Sequence, residues 1–258
     1  MSENKFNIAV LIDGDNAQAK IIKEILEEVS KYGKATIRRI YGDWTTPQMN
    51  SWKELINQFS INPIQKFSYT TGKNSTDSSL IIDAMDVLHS KTVDGFCIVS
   101  SDSDYTGLAK RIREEGLFVM GIGQRTTPIA FVQSCEIFTF TENLLPELPS
   151  LIAPTEIRKT SRKSNLTEKK TVPKTETPAR ESQKLNMRLI DKAFEIAISE
   201  DEETLISKVG TSLRKIDPSF DPRSYGYKTL TQLFESINKY TVVKNVVNGL
   251  NHPLIKLK

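Results

Sequence analysis

Two hydrophobic rhythms alternate along the first part of the chain. Short, nearly unbroken apolar runs cover Phe6 to Ile12, Ala35 to Tyr41, Pro63 to Tyr69, Gly95 to Ser100, Leu117 to Ile122 and Glu136 to Phe140. Runs of this length, bounded by turn residues, predict buried strands. Between them, apolar residues recur at helical spacing over Ala19 to Tyr32, Pro47 to Phe59, Asp77 to Ser90, Tyr105 to Glu115 and Pro128 to Ser134. Regular alternation of this kind predicts an α/β fold in which helices cover both faces of a parallel sheet. Residues 1–145 have the size of one such domain.

The rhythm then stops. Residues 146–184 read as a flexible basic linker: the stretch from Ile152 to Lys184 holds three prolines, nine Lys or Arg residues and no aromatic, too little apolar surface to build a core. Helical spacing resumes over Leu185 to Ser199, Glu203 to Ile216 and Thr229 to Asn238. Two strand-like pieces follow, Thr241 to Lys244 and Leu254 to Leu257, joined by Asn245 to Pro253. Three helices and a hairpin over 185–258 predict a small winged helix-turn-helix domain, a module often used on nucleic acids.

Composition adds modest constraints. The chain has 258 residues, 38% hydrophobic, and a formal charge of +3. So weak a basic excess matters through its placement in the linker. Cys97 and Cys135 lie in or beside predicted buried strands and read as core thiols of a reducing compartment. The polar N-terminus gives no signal-peptide pattern, and no apolar stretch approaches the ~20 residues of a membrane helix. A cytoplasmic protein without a membrane partner is expected.

Acidic residues supply the candidate chemistry. Asp13 ends the first predicted strand, in Asp13-Gly14-Asp15-Asn16. Asp102 and Asp104 follow the fourth, in Ser100-Ser101-Asp102-Ser103-Asp104-Tyr105. Asp77 opens the third predicted helix and Asp83 interrupts its apolar run. In open parallel sheets, ligands bind beyond the carboxyl ends of the strands, so these acids can converge there. Asp77 also fits a helix N-cap, and Asp83 either faces solvent or has a buried partner. Six residues apart on a helix, those two sit about 120° from one another and cannot both point straight into one site. Two carboxylates about 4 Å apart repel by about 4 kcal/mol at an effective dielectric near 20. A cluster of them therefore holds a proton or a cation, and all-oxygen donors suit a hard divalent cation such as Mg²⁺.

Other chemistries fit less well. His89 and His252 have no partners that would make a triad or a zinc site. Thr71-Gly72-Lys73-Asn74 fails as a phosphate-binding loop, because Phe67 stands where glycine is required and Asn74 where Ser or Thr is. Gly121-Ile122-Gly123-Gln124-Arg125-Thr126 lacks the third glycine of a dinucleotide fingerprint.

Taken in order, Ile12-Asp13-Gly14-Asp15-Asn16, Gly72-Lys73 ahead of Asp77, and Ser101-Asp102-Ser103-Asp104-Tyr105 resemble the NYN domain, the LabA-like branch of the PIN-related nucleases. The resemblance covers about residues 6–142. It implies a PIN-like, Rossmann-like α/β sandwich with a Mg²⁺- or Mn²⁺-dependent ribonuclease site. Carried over by residue, it assigns Asp13, Asp77, Asp102 and Asp104 to metal binding and catalysis, with Asn16, Asp83 and Ser101 in support. Phe220-Asp221-Pro222-Arg223-Ser224-Tyr225-Gly226-Tyr227-Lys228-Thr229-Leu230 resembles the OST-HTH/LOTUS domain, a winged helix associated with RNA binding and protein contacts.

RNA-facing residues are expected on both units. Arg38, Arg39, Lys73 and Arg125 lie at strand ends or loops on the acidic edge and would neutralise phosphates, and Tyr41 or Trp44 would stack a base. Trp44 also reads as core packing against the following helix. Arg223, Tyr227 and Lys228 offer basic and aromatic contacts on the second unit, where Phe220 and Tyr225 also fit as loop packing. Two functions follow: a metal-dependent endoribonuclease of single-stranded RNA, with RNA delivered by the second domain, or a non-catalytic RNA-binding regulator whose acids are structural. Either leaves room for a protein partner or a homodimer through either domain.

Overall fold

The computed structural model describes residues 6–66, 75–145, 185–198, 203–247 and 250–258. The expected linker, Lys73, and the end of the third predicted strand beyond Lys66 lie outside them. In the first unit, strands β1 (Asn7–Asp13), β2 (Lys34–Gly42), β3 (Asn62–Gln65), β4 (Gly95–Val99), β5 (Phe118–Gly123) and β6 (Ile137–Phe140) form one sheet. Every pairing in it is parallel, in the order β3-β2-β1-β4-β5-β6. Helices α1 (Ile22–Ser30), α2 (Lys53–Gln58), α3 (Ser75–Ser90), α4 (Thr106–Glu114) and α5 (Ile129–Ser134) connect them.

Alternation along the strands divides the core. Ala9 and Leu11 of β1, with Phe96 and Ile98 of β4, face α3, α4 and α5. Ile8, Val10 and Ile12, with Cys97 and Val99, face α1 and the α2 layer. All of them are at most 2% exposed, so both faces are covered, as an all-parallel sheet requires. Cys97 and Cys135 are free and buried, and burial pushes the Cys135 thiol up to about 12.

The strand order fixes where a site can form. From β1 the chain winds outward to β2 and β3, then returns to place β4 on the other side of β1. Diverging loops leave a crevice at such a reversal, beyond the carboxyl ends of β1 and β4. Ile12 pairs with Val99, so Asp13 and the Ser100–Asp104 turn emerge side by side.

The second unit contains α6 (Met187–Ala197), β7 (Glu203–Leu205), α7 (Ile206–Ile216), α8 (Leu230–Glu235), β8 (Tyr240–Val243), β9 (Val246–Val247), β10 (Leu250–Asn251) and β11 (Leu254–Leu257). The expected wing is present as the antiparallel β8–β11 pair. One boundary differs from expectation: Glu203–Leu205 is strand rather than helix and joins the wing as its third member. Thr204 is the reason, since its hydroxyl donates to the Ala197 carbonyl at 2.8 Å and its side chain is buried. Pairing with β11 takes the backbone groups that a first helical turn would have left orphaned.

Candidate metal centre

Asp13 is the last residue of β1 and is fully buried. Its carboxylate accepts from Asn16 Nδ2 at 2.7 Å, Ser100 Oγ at 2.8 Å and the Asp15 amide at 3.2 Å. Burial raises its pKa, and the two side-chain hydrogen bonds oppose that rise. The turn after it depends on glycine: a Cβ on Gly14 would lie 2.7 Å from the Tyr41 carbonyl oxygen, and the Gly14 amide donates to that same oxygen at 2.8 Å.

Asp102 and Asp104 begin the next turn. Asp102 caps the 3₁₀ turn Ser103–Tyr105 by accepting the Asp104 amide at 2.9 Å. One aspartate therefore caps, and the second is surplus to capping. Asp77, in the first turn of α3, completes the group. Carboxylate oxygens of Asp77, Asp102 and Asp104 all lie within 4.8 Å of one another. Burial raises the Asp77 pKa and the Tyr105 hydrogen bond lowers it, while the charges of Asp13, Asp102 and Asp104 raise it further. These three residues fit a hard divalent ion: the donors are all carboxylate oxygens, they converge, and they repel one another when no cation is there.

Tyr105 is the residue the sequence reading missed. It is fully buried, and its hydroxyl donates to Asp77 Oδ1 at 2.7 Å. Burial raises the Tyr105 pKa, and the nearby Asp13 and Asp77 carboxylates raise it further. The available signal was a hydroxyl-bearing aromatic directly after Asp104. Ser100, buried and donating to Asp13, was legible in the same way.

Asp83 sits apart from this cluster, as the helical angle requires. It forms an ion pair with Arg39 Nη1 and accepts from the Tyr41 hydroxyl. Arg39 and Tyr41 are two residues apart on β2 and so share the sheet face that α3 covers. Asp83 thus takes the partnered alternative.

A family model for the NYN domain matches residues 7–145, more than half of the chain. The chain belongs to the NYN family. A model for the OST-HTH/LOTUS domain matches residues 185–251, so an NYN domain precedes an OST-HTH domain in one polypeptide. These domain types connect the protein to nuclease and RNA-related function. No curated protein matches the sequence. Among solved structures, a protein of unknown function from Vibrio parahaemolyticus is 18% identical, with a TM-score of 0.45, covering 54% of this chain and 94% of its own. An uncharacterised protein from Nitrosomonas europaea is 21% identical, with a TM-score of 0.28, covering 37% of this chain and 92% of its own.

The expected RNA contacts of the NYN domain have other engagements. Tyr41 is fully buried, so its ring has no face to stack a base. Arg39 is held by Asp83. Arg38 donates to the carbonyls of Ala35 and Phe59 at 3.2 and 2.9 Å. Trp44 packs with the α2 layer and donates from Nε1 to the Ile64 carbonyl at 3.2 Å. Arg125 donates to Asn143 Oδ1 at 3.0 Å and stacks over Phe140. Ser101 Oγ accepts the Gln124 amide at 2.8 Å, which ties the β4 loop to the β5 loop. In the OST-HTH domain, Phe220 and Tyr225 pack together at 5.7 Å between ring centroids. Arg223 binds Asp221 and Glu28. Tyr227 packs at the margin of the domain core, and Lys228 is exposed.

Proposed function

We propose that the protein is a Mg²⁺- or Mn²⁺-dependent endoribonuclease that cuts single-stranded RNA, with substrate brought to the NYN domain by the OST-HTH domain. The observation that supports this reading is the convergence of Asp77, Asp102 and Asp104 within 4.8 Å at the sheet's topological reversal. A divalent ion held by these carboxylates supplies Lewis-acid polarisation of a phosphodiester and stabilisation of the charge that develops on its oxygens. Asp13, expected as a fourth metal ligand, falls outside the three-carboxylate group, and in this reading it acts with Tyr105 as a positioning residue. Asp13 fixes the β1 edge through Asn16 and Ser100, and Tyr105 holds Asp77 toward the two turn aspartates. Lys228 and the basic linker provide cationic contacts for phosphates.

The test is incubation of the full chain with end-labelled single-stranded RNA and Mn²⁺, with and without EDTA. Internal cleavage that EDTA abolishes, and that Asp102→Asn reduces by about 100-fold or more, is expected. EDTA-insensitive cutting, or full activity in Asp102→Asn, would overturn the site. Metal and RNA binding with no cleavage would favour the RNA-binding regulator.

A further inference from the structure

A second set of contacts lies away from the acidic cluster and joins the two domains. The OST-HTH side is the segment from Asp217 to Tyr225. The NYN side is α1, the edge strand β6 and the 3₁₀ turn Thr141–Asn143. Three different kinds of contact meet here. The Phe138 amide of β6 donates to the Pro218 carbonyl at 2.8 Å. Asn143 Nδ2 donates to Ser224 Oγ at 2.9 Å, and both residues are buried. Arg223 places its fork on Glu28, Nη1 to Oε2 and Nη2 to Oε1, both at 3.0 Å. Glu28 is only 4% exposed. Asp221 orients the fork from behind, accepting from Nε at 2.9 Å and from Nη2 at 2.6 Å.

We propose that the segment Asp217–Tyr225 is a docking element that seats the OST-HTH domain on the β6 edge of the NYN domain in the same chain, so that the two move as one body. Each contact answers a specific cost. An edge strand carries unpaired backbone donors and acceptors that invite foreign pairing, and Pro218 occupies one donor of β6. A carboxylate withdrawn from water needs cations in good geometry; Glu28 has Lys31 Nζ at 2.7 Å from its own domain, and the bidentate Arg223 pair adds the strongest form of that contact. Asn143 carries the seat toward the crevice. Its Oδ1 holds Arg125 at 3.0 Å, and the neighbouring Gln124 amide holds Ser101 at 2.8 Å. The docked domain therefore has a fixed orientation to the loop that carries Asp102. In the docked state Arg223 is a joint residue, and RNA contacts on the OST-HTH domain fall to Tyr227 and Lys228.

None of this rests on cleavage, and the test needs no RNA. Amide hydrogen exchange would be followed residue by residue in the intact chain, alongside small-angle scattering. In the wild type, the Phe138 amide should be protected and the particle compact. Arg223→Ala should speed Phe138 exchange by about tenfold or more and enlarge the particle, with the β4 amides unchanged. Because Arg223→Ala also strips Asp221 of its partner and could unsettle the OST-HTH domain, Glu28→Gln serves as the second variant. It weakens the same pair from the NYN side and should give the same local loss. A Phe138 amide exchanging as an unpaired edge in the wild type, or unchanged in both variants, overturns the joint. Protection that falls on dilution would put the seat on a second copy and overturn the same-chain assignment.

Discussion

At the residue scale, the acidic cluster has a measurable cost. Asp77 has a raised pKa, first through burial and then through the neighbouring aspartate charges. A carboxyl whose folded pKa lies above its ordinary 3.8 supports the fold best while protonated. That support is lost as pH rises from the ordinary value through the folded one. Asp77→Asn should therefore raise the melting temperature in EDTA at pH 7, and the gain should vanish below about pH 3.8, where the wild-type carboxyl is itself neutral. Thermal melts across pH check this; an equal gain at all pH values would remove the electrostatic explanation. Added Mn²⁺ should reverse the order by stabilising the wild type through binding, by about 2.7 kcal/mol at a hundred times Kd, and the variant less. Tyr105→Phe removes only the hydroxyl that donates to Asp77. Cleavage should fall by about 10- to 100-fold, as for other supports of a metal ligand, and the apparent Mn²⁺ affinity should weaken with it. Loss of activity at unchanged Mn²⁺ affinity would mean that Tyr105 does not position Asp77.

At the scale of elements, β2 and α3 are tied by the Arg39–Asp83–Tyr41 group. The Arg39 and Asp83 side chains are 28% and 25% exposed, so water screens the pair in part. Tyr41 is fully buried, and its hydroxyl loses a charged acceptor if Asp83 changes. Asp83→Asn should cost about 1–2 kcal/mol of stability, read as a lower urea midpoint at unchanged slope. Metal affinity should be retained, because Asp83 lies outside the three-carboxylate group. Loss of Mn²⁺ binding at full stability would place Asp83 functionally with the cluster instead. The same helix thus performs two tasks on faces about 120° apart.

At the scale of the whole molecule, the β6 joint changes how the domains work together. Two freely tethered domains would interact through effective concentration alone. A seated OST-HTH domain instead holds a set direction toward the NYN domain, and under the proposed function RNA would arrive along it. Residues 1–145 expressed alone would leave Phe138 and Glu28 uncovered and should melt at a lower temperature than the full chain. An equal melting temperature would show that the joint adds no stability. The nine basic residues from Ile152 to Lys184 are expected to make a separate contribution to RNA binding. Deleting residues 156 to 182 should weaken RNA binding and flatten the slope of log affinity against log salt, by about 0.7 for each lost phosphate contact on a single strand. An identical slope would show that the segment does not touch RNA.

The alternation of apolar runs and helical stretches was enough to determine the parallel sheet, because strand and helix periods are local and both faces of the sheet had to be covered. The order of the acids was equally legible, since Asp13 and Asp102 stand directly after their strands. What each acid touches was not. The helical angle already kept Asp77 and Asp83 from sharing one site, but only the packing of α3 across β1 and β2 decided which joins the carboxylate cluster and which pairs with Arg39. Tyr41 and Arg39 read as exposed strand-end residues because alternation gives a side chain's face and not what covers it. Arg223 read as an RNA contact because a surface arginine near aromatics carries no mark of its acceptor. One acceptor, Asp221, is only two positions away, but the other, Glu28, lies 195 positions away, and contacts at that separation are set by how the domains pack, which no local pattern encodes.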